Sequence, residues 1–269
     1  MSTGRGFAKK RMRWIPPLIV FVFVIALWYG ITYVLLAPER RFLLPPPDAV
    51  VRVGFLDAGN RAELLAGLLL SAEVALLGLA IAAVLGVACA IVMAQAAWLE
   101  RSLYPYLVIV QTIPILALVP LFGFWFGFGF WTRVLVCVLI ALFPIVTNTL
   151  FGLRSVDGAY QDLFTLQRAG RLARLVKLQL PAALPQIFTG LRISAGLSVI
   201  GAVVGDFFFR QGEAGIGMLI DLYRSRLQSE QLFAAVTLAS LFGLAVFLGF
   251  GALARLVSSW HATARDSSR

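Results

Sequence analysis

The chain has 269 residues, of which 60% are hydrophobic and only 13% are charged, and its mean hydropathy is +0.90. A soluble domain carries about 25% charged residues, so this composition excludes a water-soluble globule and indicates an integral membrane protein. The two cysteines and one histidine argue against a disulfide framework or a metal site, and the net charge of +10 indicates membrane orientation rather than nucleic-acid binding.

Six apolar stretches are long enough to cross a bilayer, which takes about 20 residues in a helix. They cover residues 15–36, 64–94, 103–126, 131–153, 186–209 and 232–257. The alternating pattern of barrel strands is absent, so we predict an all-α integral membrane protein with about six transmembrane helices. Residues 1–14 form a basic tail before this domain of residues 15–257, and residues 258–269 form a second tail after it.

The distribution of basic residues predicts that both termini are cytoplasmic. With the N-terminus inside, fifteen Lys and Arg residues fall on the cytoplasmic side and eight fall outside. This count places Arg192 on the cytoplasmic side and Arg133 outside. It therefore leaves no fixed cation in the middle of the membrane.

Few residues within the predicted spans carry polar groups that could line a translocation path. Glu73 and Asp206 are the acidic candidates, and Gln111 and Asn148 are the amide candidates. Each has a structural alternative, because an acid can lie at an interface or be paired in the bundle, and an amide can bond between helices. With so few intramembrane charges, we expect a separate subunit to supply the energy for transport.

Two connections between the spans are long. Residues 37–63 contain three consecutive prolines at 45–47, which favour extended backbone. In residues 154–185, Asp157-Gly158 predicts a turn, and residues 160–179 suit one or two short helices. We expect Pro181 and Pro185 to stop this helical segment before the next span.

The helical part of the second connection has an apolar face and a basic stripe. Leu172, Leu175, Val176 and Gln179 follow the helical spacing of one face, and the first three make it apolar. Basic residues recur at every third position: Arg168, Arg171, Arg174 and Lys177. The pattern is consistent with a basic helix on anionic headgroups of the bilayer or with a docking helix for a cytoplasmic partner.

Several stretches together resemble the permeases of bacterial ABC importers. They are residues 113–122, 152–157, 180–185, 190–192, 200–205 and 215–220. The resemblance is to the binding-protein-dependent components that serve nitrate, sulfonates, taurine and pyrimidine-type vitamin precursors. It spans residues 60–257 and implies the fold of a type I importer permease.

The loop signature of that family is Glu-Ala-Ala, a glycine four residues later and an Ile-x-Leu-Pro end. Anchored on Leu180-Pro181, the signature puts Asp162 at its glutamate and Arg168 at its glycine. Gly170, two residues later, is the expected substitute for the turn. The resemblance implies an ATPase-coupling loop that contains Asp162, Arg168, Gly170, Arg171, Leu172, Leu175, Leu178, Leu180 and Pro181.

The resemblance implies a permease subunit in the bacterial inner membrane, without catalysis or a cofactor of its own. Its implied partners are a second permease copy, a cytoplasmic ABC ATPase dimer and an external solute-binding protein. The implied solute is an anion like nitrate, sulfonate or taurine, or a pyrimidine-type vitamin precursor. Two alternatives are the membrane scaffold of an energy-coupling vitamin transporter and an intramembrane enzyme, although the sequence shows no paired acids or histidine cluster for the latter.

Overall fold

The computed structural model describes residues 15–209 and 213–266, with side chains as far as residue 256, so the predicted tail of residues 1–14 lies outside the described part. Its helices are α1 (Ile15–Gly30), α2 (Pro47–Val50), α3 (Ala58–Ala94), α4 (Ala97–Thr112), α5 (Ile115–Phe126), α6 (Phe130–Arg154), α7 (Gly158–Leu166), α8 (Arg171–Arg174), α9 (Leu180–Phe208), α10 (Ile216–Ser225) and α11 (Ser229–Asp266). A π-helical turn, Ile31–Leu35, extends α1.

The predicted fold class is confirmed over the described residues, which are helical almost throughout. Within that part of the chain, five helical segments are long and apolar enough to cross a membrane, and α4 with α5 makes a sixth if the bent pair is one span. The last helix, α11, continues as far as Asp266.

The predicted third span is broken rather than straight. Helices α4 and α5 meet at an angle of 94° across Ile113 and Pro114. Ile113 has extended backbone, with φ −65° and ψ 129°, because the ring of a following proline clashes with helical backbone. Pro120 lies inside α5 without interrupting it, so a proline alone does not locate such a break.

The described residues form two compact units, one of residues 15–64 with 220–236 and the other of residues 65–209, 213–219 and 237–266. In the first unit, the connection after α1 folds back onto that helix. Trp28 Nε1 donates to the Pro45 carbonyl at 3.0 Å, and Thr32 Oγ1 donates to the Leu44 carbonyl at 3.1 Å. The connection contains a 3₁₀ segment, Pro38–Leu43, as well as α2, so the expectation of extended backbone is only partly met.

In the second unit, small side chains bring α3, α6 and α9 close together. Ser198 Oγ donates to the Ala75 carbonyl of α3 at 2.5 Å, and Ser194 Oγ donates to the Ala141 carbonyl of α6 at 2.6 Å. A Cβ atom on Gly190 would lie 2.8 Å from a backbone oxygen of α6. Close packing of this kind stabilises membrane helices, because lipid supplies no hydrophobic driving force between them.

Candidate functional site

The loop between α6 and α9 carries the predicted coupling residues, and its first helix is capped. Asp157 Oδ1 accepts a hydrogen bond from the Ala159 amide at 3.0 Å, so Asp157 caps the N-terminus of α7. The predicted turn at Asp157-Gly158 is therefore the start of a helix. Just before it, Arg154 at the end of α6 forms an ion pair with Glu100 of α4. These contacts define how the loop leaves the bundle.

Helix α7 ends in a left-handed turn at Arg168, where φ is +51°. The Ala169 amide donates to the Phe164 carbonyl at 2.9 Å and the Arg168 amide donates to the Thr165 carbonyl at 3.0 Å, which is the bond pair of a Schellman motif. Its left-handed residue is usually glycine, and Arg168 stands where the loop signature has its glycine. Gly170 has φ −63° and precedes α8, so the prediction that Gly170 supplies the turn is wrong.

The prolines at the end of the loop do not stop the helix, contrary to the prediction. Helix α8 continues through a π-helical segment, Leu175–Gln179, into α9. Pro181 lies in the first turn of α9, and Pro185 lies inside it. A proline removes one helical hydrogen bond and crowds the carbonyl four residues earlier, and the wider π turn before Pro181 relieves this crowding.

The apolar residues of the loop point in two directions. Leu175 packs against a buried cluster at the adjoining ends of α6 and α9, together with the half-buried Leu180. Leu172 is 74% exposed, and Val176 is 52% exposed. Leu178 is half-buried. The predicted single face is therefore divided, with Leu175 holding the loop to the bundle and Leu172 facing outward.

The charged residues of the loop combine an internal contact with an exposed surface. Arg174 Nη2 donates to Thr165 Oγ1 at 3.1 Å and so connects α8 to α7. Asp162, Arg168 and Arg171 are exposed. Exposed cations beside exposed apolar side chains suit an acidic protein surface and also anionic headgroups.

The four candidate path residues lie in different environments. Glu73 is exposed on α3, and Gln111 is exposed near the end of α4. Asn148 Nδ2 donates to the Pro144 carbonyl at 2.8 Å, so this amide bonds within its own helix. Asp206 is completely buried. Glu73 and Gln111 are therefore the accessible members of the set.

Asp206 is the centre of a buried polar network in the second unit. Its Oδ1 atom lies 3.0 Å from Arg133 Nη1, and the two side chains are 0% and 3% exposed. Ser71 Oγ donates to Asp206 Oδ2 at 2.5 Å and accepts from the Ile216 amide at 2.8 Å, while the Gly217 amide donates to the carboxylate at 3.3 Å. The network connects α3, α6 and α9 to the start of α10. No local pattern pairs positions 133 and 206, so this contact was not predicted from the sequence.

The network also explains why glycine is needed at two positions beside it. A Cβ atom on Gly215 would collide with the Asp206 carboxylate, and one on Gly217 would collide with the Val203 carbonyl. The short motif of residues 215–217 therefore allows the chain to pass directly over the buried acid.

Arg192 lies inside α9, which belongs to a helical segment long and apolar enough to cross a membrane, whereas the basic-residue count assigned it to the cytoplasmic side. It is 12 residues after Leu180, where α9 begins, and 16 before Phe208, where α9 ends. This position makes Arg192 a candidate for a fixed cation inside the membrane, which the sequence-based prediction did not include. The basic-residue count assigned Arg192 to the cytoplasmic side although the predicted span of residues 186–209 contains it.

Comparison with known proteins gives consistent results over most of the chain. Residues 82–260 match the family described as "Binding-protein-dependent transport system inner membrane component". The chain is 34% identical to the formylaminopyrimidine transport permease of Halalkalibacterium halodurans, over 92% of this chain and 95% of that protein. It is 34% identical to the riboflavin transport system permease of Chloroflexus aurantiacus (91% and 90% covered) and 31% identical to a putative aliphatic sulfonates transport permease of Bacillus subtilis (87% and 83%).

Proposed function

The chain belongs to the family of binding-protein-dependent transport inner membrane components, and from this membership we propose how it docks an ATPase and conducts its solute. It is a permease subunit of an ABC importer and not an enzyme. It is a multi-pass protein of the bacterial inner membrane that works with an ABC ATPase and a solute-binding protein. We infer that both termini are cytoplasmic, with the loop between α6 and α9 on the ATPase side.

The proposed ATPase-docking surface consists of α7, α8 and the π-helical segment that follows. Leu172 and Val176 offer exposed apolar contacts on one part of the loop, and Leu163 and Leu166 are 46% and 83% exposed on α7. Leu175 connects this surface to the buried cluster at the ends of α6 and α9. A push on the loop would therefore act directly on two long helices, which is the observation that best supports a coupling role.

We propose that two copies of the chain form the translocation path between them. Glu73 is exposed on α3 beside Leu69 and Leu76, which are 64% and 46% exposed. A carboxylate facing lipid costs about 2.5 kcal/mol or more, so an aqueous path or a protein surface is expected to cover this face. Of the four predicted path residues, Glu73 and Gln111 have exposed side chains, and we propose that these two line the path.

The proposed solute is a small anion of the nitrate, sulfonate or taurine type, or a pyrimidine-type vitamin precursor. The names of the relatives include both an aliphatic sulfonate permease and a formylaminopyrimidine permease. Thermal unfolding of the cognate solute-binding protein with nitrate, taurine, methanesulfonate and formylaminopyrimidine would discriminate between these classes.

Co-purification with the cognate ATPase in detergent tests the docking surface. Leu172→Asp places a charge on an apolar contact, and we expect it to weaken the complex about tenfold or more, since burying a leucine contributes about 1.5–3 kcal/mol. The matched control is Leu56→Asp, because Leu56 is 69% exposed and lies on the side that we propose to be external. This control should retain the ATPase.

A second variant separates docking from folding. Leu175→Asp should lower the melting temperature of the chain itself, since Leu175 packs against the bundle. Leu172→Asp should leave the melting temperature unchanged. If Leu172→Asp retained the ATPase as well as the unmodified chain does, the proposed docking surface would be wrong.

A further inference from the structure

Arg192 is a cation halfway along a transmembrane helix. Two residues away, Ser194 Oγ bonds to the Ala141 carbonyl at 2.6 Å, and Ala141 lies near the middle of α6, which runs from Phe130 to Arg154. Arg192 is therefore level with the middle of α6 as well as that of α9. A guanidinium does not lose its proton in proteins, so this position carries a fixed positive charge.

The surroundings of Arg192 satisfy only part of the guanidinium group. Its Cζ atom lies 4.1 Å from the ring centre of Phe247 on α11. A Cβ atom on Gly251 would lie 3.2 Å from Arg192 Cζ and Nε, so this glycine gives the guanidinium room against α11. Arg192 Nε is buried without a hydrogen-bond partner, and no carboxylate of the described residues forms an ion pair with this side chain. The ring of Phe247 covers one face of the guanidinium and leaves the Nε–H donor without a partner.

A cation–π contact does not make this position favourable in lipid. Such a contact contributes about 2 kcal/mol when desolvated, and a cation at mid-membrane costs more than that. Water or an anion at the guanidinium would offset the remaining cost in the working transporter. The adjoining face of α9 is open, since Thr189 and Ile193 are exposed and a Cβ atom on Gly196 would have nothing within 4 Å.

We propose that Arg192 is a binding site for a small oxyanion on the open face of α9, halfway through the membrane. A planar guanidinium recognises a nitrate, sulfonate or carboxylate group through paired hydrogen bonds. The ring of Phe247 would hold the guanidinium in place while its edge meets the anion. This inference rests on the proposed transport function.

Cysteine labelling beside Arg192 tests whether this face is aqueous and attracts anions. Gly196→Cys places a thiol one helical turn away, about 5–6 Å between Cβ positions. The background carries Cys89→Ala and keeps Cys137, which is completely buried. The complex of this chain with its ATPase, in membrane vesicles, is treated with an anionic sulfonatoethyl or a cationic trimethylammonioethyl methanethiosulfonate.

We expect the anionic reagent to react faster than the cationic one, and Arg192→Gln to lower this rate ratio about tenfold, since one charge is lost at close range. Arg192→Lys should keep most of the ratio, and Arg101→Gln, which removes an exposed cation elsewhere, should leave it unchanged. Excess methanesulfonate should slow labelling in the parent and have little effect in Arg192→Gln.

Two results would overturn the inference. If neither reagent labelled Gly196→Cys, the open face would be covered by lipid or protein. If both reagents labelled it with the same rate ratio in the parent and in Arg192→Gln, the face would be aqueous but Arg192 would not select anions. A failure of the proposed ATPase docking would be seen separately, as retention of the ATPase by Leu172→Asp.

Discussion

Removing the charge of Asp206 while keeping its shape should strongly destabilise the folded chain. Asp206→Asn removes the carboxylate that pairs with the guanidinium of Arg133, which is 3% exposed. Breaking a buried ion pair from one side costs about 3–5 kcal/mol in the free energy of unfolding. If the amide oxygen keeps the hydrogen bond from Ser71, the amide NH2 group faces Arg133 Nη1, so the loss combines the missing charge with two donors that face each other. The double variant Asp206→Asn with Arg133→Met buries no charge, and we expect it to recover at least half of the stability.

Thermal unfolding in detergent, followed by the fluorescence of the six tryptophans, measures this loss. For a chain of this size about 3–5 kcal/mol corresponds to a decrease of roughly 6–20 °C in melting temperature. The control is Arg224→Met, because the Arg224–Asp221 pair at 2.6 Å is 68% exposed on the arginine side and should contribute less than about 1 kcal/mol. If the double variant lost the sum of the two single losses, Arg133 and Asp206 would not be energetically coupled, and the reasoning would be refuted.

Two further predictions concern backbone conformation. Arg168→Gly should raise the free energy of unfolding by about 1 kcal/mol, because a residue with φ +51° is relieved of the steric penalty of its Cβ atom. The control Gln167→Gly, at a position with right-handed backbone, should lower the free energy of unfolding. A lower melting temperature for Arg168→Gly would contradict the assignment of the turn. Gly217→Ala should lower the free energy of unfolding by about 2 kcal/mol or more, since the added Cβ atom would collide with the Val203 carbonyl. The control Gly196→Ala should be neutral or stabilising by about 0.5–1 kcal/mol, because no other atom lies near that position. Equal melting temperatures for the two alanine variants would exclude close packing at Gly217.

The membrane location and the number of spans could be predicted from the sequence, because an apolar run of sufficient length has few alternatives to a membrane helix. Helical segments in the loop before α9 were also predicted, since apolar spacing over a short stretch is a local property. The predictions about its turns were less successful. Gly170 was expected to supply the turn on residue type alone, but the hydrogen bonds at the end of α7 place the left-handed residue at Arg168.

The prolines show why residue type did not predict where helices end. Pro114 coincides with a bend of 94° between α4 and α5, whereas Pro181 and Pro185 lie within a continuous helical path. Every proline lacks a backbone N–H donor and crowds the carbonyl four residues earlier, but a π-helical turn or packing against neighbouring helices can accommodate both effects. The outcome depends on surroundings that a single sequence does not display.

The sequence by itself determined that this chain spans the membrane and which family it resembles, because hydropathy and short motifs are read along the chain. Only the tertiary structure decided which residues far apart in the sequence come into contact. It paired Arg133 with Asp206, turned Leu175 toward the bundle and Leu172 away from it, and placed Arg192 at the middle of α9. The physical reason is that the depth and facing of a side chain depend on how α3, α6 and α9 pack through small residues, and this packing joins positions that are far apart in the chain.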